Sequence, residues 1–512
     1  MYLLIALGVL LIILYLYGIK NHKYWEKKGV TYVKPIPFFG TNFRVFMQKI
    51  SFSDQLYKYY QQFPNEKFVG IFLGDRIGLL LRDPELIKSV MSTDFHHFHR
   101  RGINSHKTVH EPLHKNLFTG DGDMWKLLRQ RITPAFTSGK LKAMFPLIVE
   151  RAERLQIIAA TTAESQSEVD VRELMARFTT DFIGACGFGI DADTLNDEES
   201  TFRRLGKRIF TVTKRDGLVL MLKSIAPETF KYLHMLPPEV EKTTVGLVKS
   251  IMQQRNYKHS GRNDFIDLLL ELKGKGKIVG ESVEKRNSDG TPTIVEMELD
   301  DLLMAAQVFI FYAAGFETSS STTSYTLHQL AFHPEEQKKC QDQIDEVLSR
   351  HGGKLSYDAI KEMTYLDMIF KESMRMYPSL GFLMRRCTQK YTLPGTNVTV
   401  DEDVVVLIPV HALHNDEKYF DEPEKFKPER FSPENIKNIP KYVYLPFGDG
   451  PRACIGERLG QMQSLAGLAA VLSKFSVAPS KNTLRHPITD PSSLIVQSIK
   501  GGLPLSLVAR KF

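Results

Sequence analysis

The sequence predicts a mainly α-helical protein with a minor antiparallel β region, one large domain behind an N-terminal membrane anchor. Three observations point there. Residues 2–19 (YLLIALGVLLIILYLYGI) carry no charge. From about residue 123 to 375 helical periodicity dominates, broken at Pro134, Gly217, Pro237-Pro238 and Gly261. The strand-like runs are short and flank that stretch: Phe68–Phe72 and Ile77–Leu81 before it, Val404–Pro409 and Leu494–Ile499 after it.

As a helix, residues 2–19 would span about 27 Å, close to a bilayer's hydrocarbon core. Lys20, Lys23, Lys27 and Lys28 follow, offset only by Glu26, and nothing positive but the amino terminus precedes. That asymmetry leaves the rest of the chain in the cytosol. A cleaved signal peptide would carry its charges on the other side and a small-residue cleavage site, neither of which is present. Pro35 and Pro37 exclude helix, so residues 21–40 read as a stiff, basic hinge between an anchor, 1–20, and a body, 41–512.

No Pro/Ser-rich linker and no fixed-period repeat divides the body, so its length does not imply several domains. The stretch Lys273–Thr293, rich in Gly, Lys and Glu, reads as a long exposed loop. A net charge of +8 suits an anionic membrane surface or an acidic partner. Nucleic acid is excluded, because the basic residues are dispersed and no binding motif accompanies them. Cys186, Cys340, Cys387 and Cys454 form no CxxC pair, which argues against a zinc ribbon and a disulfide framework and for a reducing compartment. His106, His110 and His114, preceded by His96, His97 and His99, have helical metal-ligand spacing, but Pro112 interrupts it; they read as loop histidines. From Leu299 to Phe332 there is no proline and Gly315 is the only glycine. A helix of about thirty residues, apolar on nearly every side at its centre, should run through the middle of the protein.

The most informative segment is Phe447-Gly448-Asp449-Gly450-Pro451-Arg452-Ala453-Cys454-Ile455-Gly456, leading into an amphipathic helix from Glu457 to about Phe475. Glycines let the backbone approach a flat ligand, and the helix turns its positive end toward the sulfur, lowering the thiol's pKa. F-G-x-G-x-R-x-C-x-G resembles the haem-binding signature of the cytochrome P-450 family, a haem-thiolate monooxygenase fold. The resemblance implies haem b with Cys454 as iron ligand, cradled by Phe447 and Gly448, and Arg452 on a propionate.

Other segments extend the likeness from hinge to final strand. Glu372 and Arg375 form an i,i+3 pair beside apolar Leu366, Ile369, Phe370 and Met376. They resemble the family's E-x-x-R pair, with Arg430 of Pro428-Glu429-Arg430-Phe431 joining as a structural lock. Ala314-Gly315-Phe316-Glu317-Thr318-Ser319 resembles the oxygen-activation motif. There Gly315 leaves room for dioxygen, the Thr318 hydroxyl can bond back to the Ala314 carbonyl, and Glu317 and Thr318 relay protons. Trp125 and Arg129 resemble a propionate-holding pair. Arg101 and Arg385 take the remaining propionate places, their neighbours Arg100 and Arg386 leaving the register open by one.

What this implies is insertion of one oxygen atom of O2 into a lipophilic substrate above the haem, against Ile310, Ala313, Ala314, Leu380 and Leu383. Asn104–Leu117 and Leu218–Leu222 should add contacts, the second also touching the membrane. Electrons should come from NADPH through NADPH-cytochrome reductase, with cytochrome b5 admitted as a second donor. Lys126, Arg129, Arg131, Arg430, Lys441 and Arg458 are candidates for a basic docking face. The chain is most similar to insect microsomal detoxification members, which act on plant toxins and insecticides at the endoplasmic reticulum. Oxidation of an endogenous hormone or fatty acid stays open, as do a haem-thiolate isomerase or a haem sensor, neither of which needs the Glu317-Thr318 relay.

Overall fold

The computed structural model describes residues 1–512 apart from Ser105, Lys107, Gln166, Ser167, Ala192, Glu198, Glu199, Asn263 and Phe512. Its axis is one helix of 32 residues, Asp301–Phe332. Asp300 caps it by accepting the Leu303 N–H, and Pro334 follows its end. The first half presents apolar groups such as Met304, Ala306, Val308 and Phe309 to its neighbours. The second half is not apolar: Ser319 to Ser324 and Thr326 are all buried. Several of these hydroxyls offset their burial by bonding back one turn, Thr322 to the Thr318 carbonyl (3.0 Å), Thr323 to Ser319 (2.8 Å) and Thr326 to Thr322 (2.8 Å). Small side chains let Val171–Ile183 and Glu457–Lys474 pack against this helix. The latter, expected to be amphipathic, is buried from Gln463 to Ser473, because it lies inside the bundle rather than on its surface.

The main sheet has four strands in the order Phe68–Leu73, Arg76–Leu81, Val405–Ile408, Leu383–Arg386. Its outer pairings are antiparallel, but Arg76–Leu81 runs parallel to Val405–Ile408, so the β region is not purely antiparallel. The continuous run Val405-Val406-Leu407-Ile408 is buried throughout, as a strand covered on both faces must be. Leu494–Ile499 departs from expectation. It makes only the bridge Leu380–Val496 and, through Ile499, one to Thr489. Ser492, Ser493 and Asp490 close a turn on one another there, and this local side-chain chemistry overrides strand propensity. Gly217 breaks nothing; it lies inside Lys214–Ile225, sustained by a Thr213–Asp216 capping box. The expected loop Lys273–Thr293 is largely a β-hairpin, Ile278–Arg286 with Pro292–Met297. Asn287 and Gly290, the latter at φ +85°, make its turn.

Among the described residues two helices are long and apolar enough to cross a membrane, Tyr2–Ile19 and Asp301–Phe332; the second is the core helix, mostly buried. Tyr2–Ile19 has no buried residue. Residues 21–40 are not a free-standing hinge. Trp25 is fully buried against Gly70, where a Cβ would come within 2.4 Å of its ring, and its Nε1 donates to the Ile71 carbonyl (3.3 Å). Lys28 pairs with Asp401 (2.9 Å), and Tyr32 bridges Gly70. Burying one tryptophan outweighs the freedom of a short linker, so the segment is docked on the sheet.

Behind the cysteine loop, Glu372 and Arg375 are completely buried and paired in two parallel bonds of 2.8 and 2.9 Å. Arg430 Nε (3.3 Å) and the Lys427 N–H (2.9 Å) complete the carboxylate's shell, while Arg375 also donates to the carbonyls of His414 and Pro423. His414 in turn accepts the Leu445 N–H at Nε2 (2.9 Å), tying the network to the segment that enters the cysteine loop. Burial, with Arg375 nearby, holds the His414 imidazole down at about 3. The unfolded chain therefore binds a proton here that the native state refuses. Stability from this site is present above the ordinary histidine pKa of about 6.5 and is lost as pH falls from there toward 3. Urea titration should show the midpoint falling between neutral pH and pH of about 5, and falling less in His414→Gln, whose amide oxygen can still accept the Leu445 N–H.

Candidate active site

A cavity of about 640 Å³ lies between the central helix, the cysteine loop and the main sheet. Its floor is shaped by glycine. Gly448 (φ +69°) and Gly450 (φ +71°) adopt backbone open mainly to glycine, and a Cβ on Gly450 would stand 2.0 Å from the Met91 carbonyl oxygen. The loop is closed by the Cys454 N–H on the Phe447 carbonyl (2.8 Å), and Arg129 Nη1 donates to the Ala453 carbonyl (2.9 Å). Cys454 is the one exposed cysteine, and what it faces is the cavity. Cys186, Cys340 and Cys387 are buried, and their thiols are pushed up by burial.

The Cys454 thiol is not lowered, contrary to the expectation from the following helix. Burial raises it, and this exceeds the opposing pull of the Gly456 N–H, Arg129 and Arg101. A cation bound to the sulfur would offset that effect of burial.

The register of the arginines is resolved. Arg101 and Arg385 line the cavity, while Arg100 pairs with Glu284 and Arg386 with Asp403 (3.0 Å). The Nε atoms of Arg101 and Arg385 are buried without a protein partner, and burial pushes these guanidiniums down to about 10 and about 9. Arg452 differs. Its donors go to the His99 carbonyl (2.6 Å), the Gly120 carbonyl (3.1 Å) and Asp121 (3.0 Å), and it lies 4.1 Å over the Trp125 ring. Trp125 is packed under Arg452 and beside Phe95 and does not reach the cavity lining. Trp125 is thus a buttress behind the wall, while Arg101, Arg129, Arg385 and Arg452 all line the cavity, Arg452 with its donors already taken by protein groups.

Ile310, Ala313, Ala314, Leu380 and Leu383 also line the cavity, with Thr318 among them. The Thr318 hydroxyl donates to the Ala314 carbonyl (2.7 Å). Glu317 is buried on another side of the helix, paired with Arg172, and is not in the lining. Successive helical residues point about 100° apart, and the turn from Thr318 back to Glu317 carries the carboxylate to the side where Arg172 lies. The space beside Gly315 is occupied by Ile183, whose Cδ1 would lie 2.4 Å from a Cβ there.

Sequence reasoning missed Ile183, Phe118, Phe210 and Gln463, all in the lining, the last donating to the Gly315 carbonyl (3.2 Å). They come from segments distant in sequence, and no local pattern marks them. Within Asn104–Leu117, Glu111, His114 and Leu117 line the cavity, while Ser105 and Lys107 lie outside the described residues. Of Leu218–Leu222, Leu220 lines the cavity and Leu218 is exposed. Among the described residues no histidine cluster could hold a metal; His106 pairs instead with Glu228 (3.0 Å). In the expected docking face, Arg129 and Arg430 are turned inward by their carbonyl and lock contacts.

A sulfur in a glycine cradle below an apolar space, beside guanidiniums of which two keep a buried Nε donor without a protein acceptor, fits a flat cofactor carrying a thiophilic metal and carboxylates. The Cytochrome P450 family profile matches residues 31–504. Cytochrome P450 6B2 of Helicoverpa armigera is 39% identical over 506 residues, 99% of this chain and 98% of that protein. Cytochrome P450 6a2 of Drosophila melanogaster is 38% identical over 508 residues, covering 98% and 97%. Cytochrome P450 6B1 of Papilio polyxenes is 38% identical over 513 residues, covering both chains completely. Likeness along the whole chain, added to the sulfur cradle and its arginine wall, makes this protein a monooxygenase of the cytochrome P450 family.

Proposed function

We propose that Cys454 binds the iron of haem b and that the enzyme oxidises lipophilic xenobiotics on the cytosolic face of the endoplasmic reticulum membrane. The observation that carries this reading is Cys454 exposed from its glycine loop into a cavity that Thr318 also lines. Haem ligated by a thiolate supplies the capacity to cleave dioxygen. The chain's own residues do the rest. Arg101, Arg385 and Arg129 hold the cofactor's carboxylates, Arg452 and Trp125 stiffen that wall, and Phe447 and Gly448 shape the backbone beside the sulfur. Thr318 handles protons at its hydroxyl. Glu317, held by Arg172 outside the cavity, can serve that path only indirectly.

The lining is mostly apolar, with Ile310, Ala313, Ala314, Leu380 and Leu383 near Thr318, so it selects by size and lipophilicity. That suits varied plant toxins and insecticides. Tyr2–Ile19, uncharged and without a buried residue, would anchor the protein in the bilayer. NADPH-cytochrome reductase would deliver electrons on the Cys454 side, with cytochrome b5 as an auxiliary donor; Lys126, Arg131, Lys441 and Arg458 remain for an acidic partner.

The test is the reduced, carbon monoxide-bound protein. A Soret band with the red shift of thiolate ligation is expected, lost in Cys454→Ala, together with reductase-dependent oxidation of a lipophilic toxin. An unshifted band, or its survival in Cys454→Ala, contradicts the reading. Thr318→Ala should keep that band and most NADPH consumption while product per NADPH falls about tenfold or more; unchanged coupling removes Thr318 from proton handling.

A further inference from the structure

The hairpin Ile278–Arg286/Pro292–Met297 is fastened to the edge of the arginine wall. Asp123, in the first turn of the helix Gly122–Ile132, accepts the Val283 N–H (2.6 Å) and the hydroxyl of buried Ser282 (2.8 Å). Arg131 donates to the Val279 carbonyl (2.9 Å). Two glycines permit the contact. A Cβ on Gly122 would lie 2.6 Å from the Glu284 carboxyl, and one on Gly280 would lie 2.7 Å from Leu127. The hairpin's central bond is between Glu284 and Arg100, through Nε at 2.9 Å and also through Nη2.

Arg100 stands where two cavity arginines are set. Its carbonyl accepts the Arg386 N–H (2.8 Å), fixing the strand that carries Arg385. The next residue, Arg101, donates its N–H to Asp121 (2.7 Å) and sends its side chain into the cavity. Adjacent arginines at both places could exchange roles through a one-residue slip, and each could satisfy the same anionic ligand. Glu284 removes that ambiguity on the Arg100 side, because its carboxylate gives Arg100 an outward partner.

We infer that the hairpin is a brace for the cofactor, with Glu284 a positioning residue that holds Arg100 outward so that Arg101 and Arg385 meet the haem carboxylates. This rests on the proposed role of those two arginines. A quarter-exposed ion pair alone stabilises little, so the effect belongs to cofactor retention rather than to global stability.

The experiment uses the full-length holoenzyme and measures haem transfer to excess apomyoglobin and the iron midpoint potential. Glu284→Gln should release haem about fivefold faster, as loss of one charge-assisted contact implies. Its potential should shift positive, because one negative charge near the cofactor is gone, while the red-shifted carbon monoxide band persists. The swap Glu284→Arg with Arg100→Glu should return the release rate toward wild type, and serves as the second probe if either single variant folds poorly. Arg101→Ala and Arg385→Ala are the reference: if neither speeds release, the arginine reading itself fails. If they do, and Glu284→Gln leaves release and potential unchanged, the brace is overturned. An altered KM for the reductase with unchanged haem release also overturns it, and assigns the hairpin to electron-donor docking instead.

Discussion

The structure turns on a sulfur atom held at the floor of an interior cavity by a backbone that only glycine can shape. Gly450 passes so near the Met91 carbonyl that no side chain fits, and the Cys454 N–H closes the loop on Phe447. The thiol is also in an environment that opposes its ionisation. A loop this tightly specified, around a thiol whose ionisation its surroundings oppose, suits the proposed metal partner, since coordination would supply the missing positive charge.

Around that point the protein spends its buried charges in two different ways. Glu372, Arg375 and Arg430 satisfy one another behind the loop, and Arg375 has further carbonyl partners. Such a closed network fixes geometry more than it adds stability. Arg101 and Arg385 are left with buried donors that no protein group accepts. Unsatisfied cations beside a cavity are costly without a ligand, and their cost is relieved when an anionic ligand binds. The first set is closed on itself, while the second leaves donors for the proposed cofactor and is held by Asp121, which accepts from Arg101, Gly102 and Arg452.

Much of this was legible in the residues. The cysteine loop, the Glu372–Arg375 pair and the long proline-free helix announce themselves by local spacing, and the strands at Phe68–Leu73 and Arg76–Leu81 by short apolar runs. What was not legible is what depends on direction or on distant partners. Glu317 and Thr318 are neighbours in sequence, yet only Thr318 faces the cavity, and Arg172, which claims Glu317, is far away in the chain. Gly315 makes room, but for Ile183. Polar composition made Lys273–Thr293 look like a loop, although a turn at Asn287–Gly290 and a docking surface on the helix after Asp121 fold it into a hairpin. Two prolines made residues 21–40 look like a spacer, although a single buried tryptophan docks them.

The central claim is a bond between the Cys454 sulfur and the haem iron. Iron-edge X-ray absorption on the purified holoprotein tests it without reference to turnover or substrate. A sulfur scatterer in the first coordination shell is predicted for wild type, and a shell of nitrogen and oxygen alone for Cys454→Ala reconstituted with haem. A wild-type spectrum without sulfur, or a sulfur shell that persists in Cys454→Ala, contradicts the account.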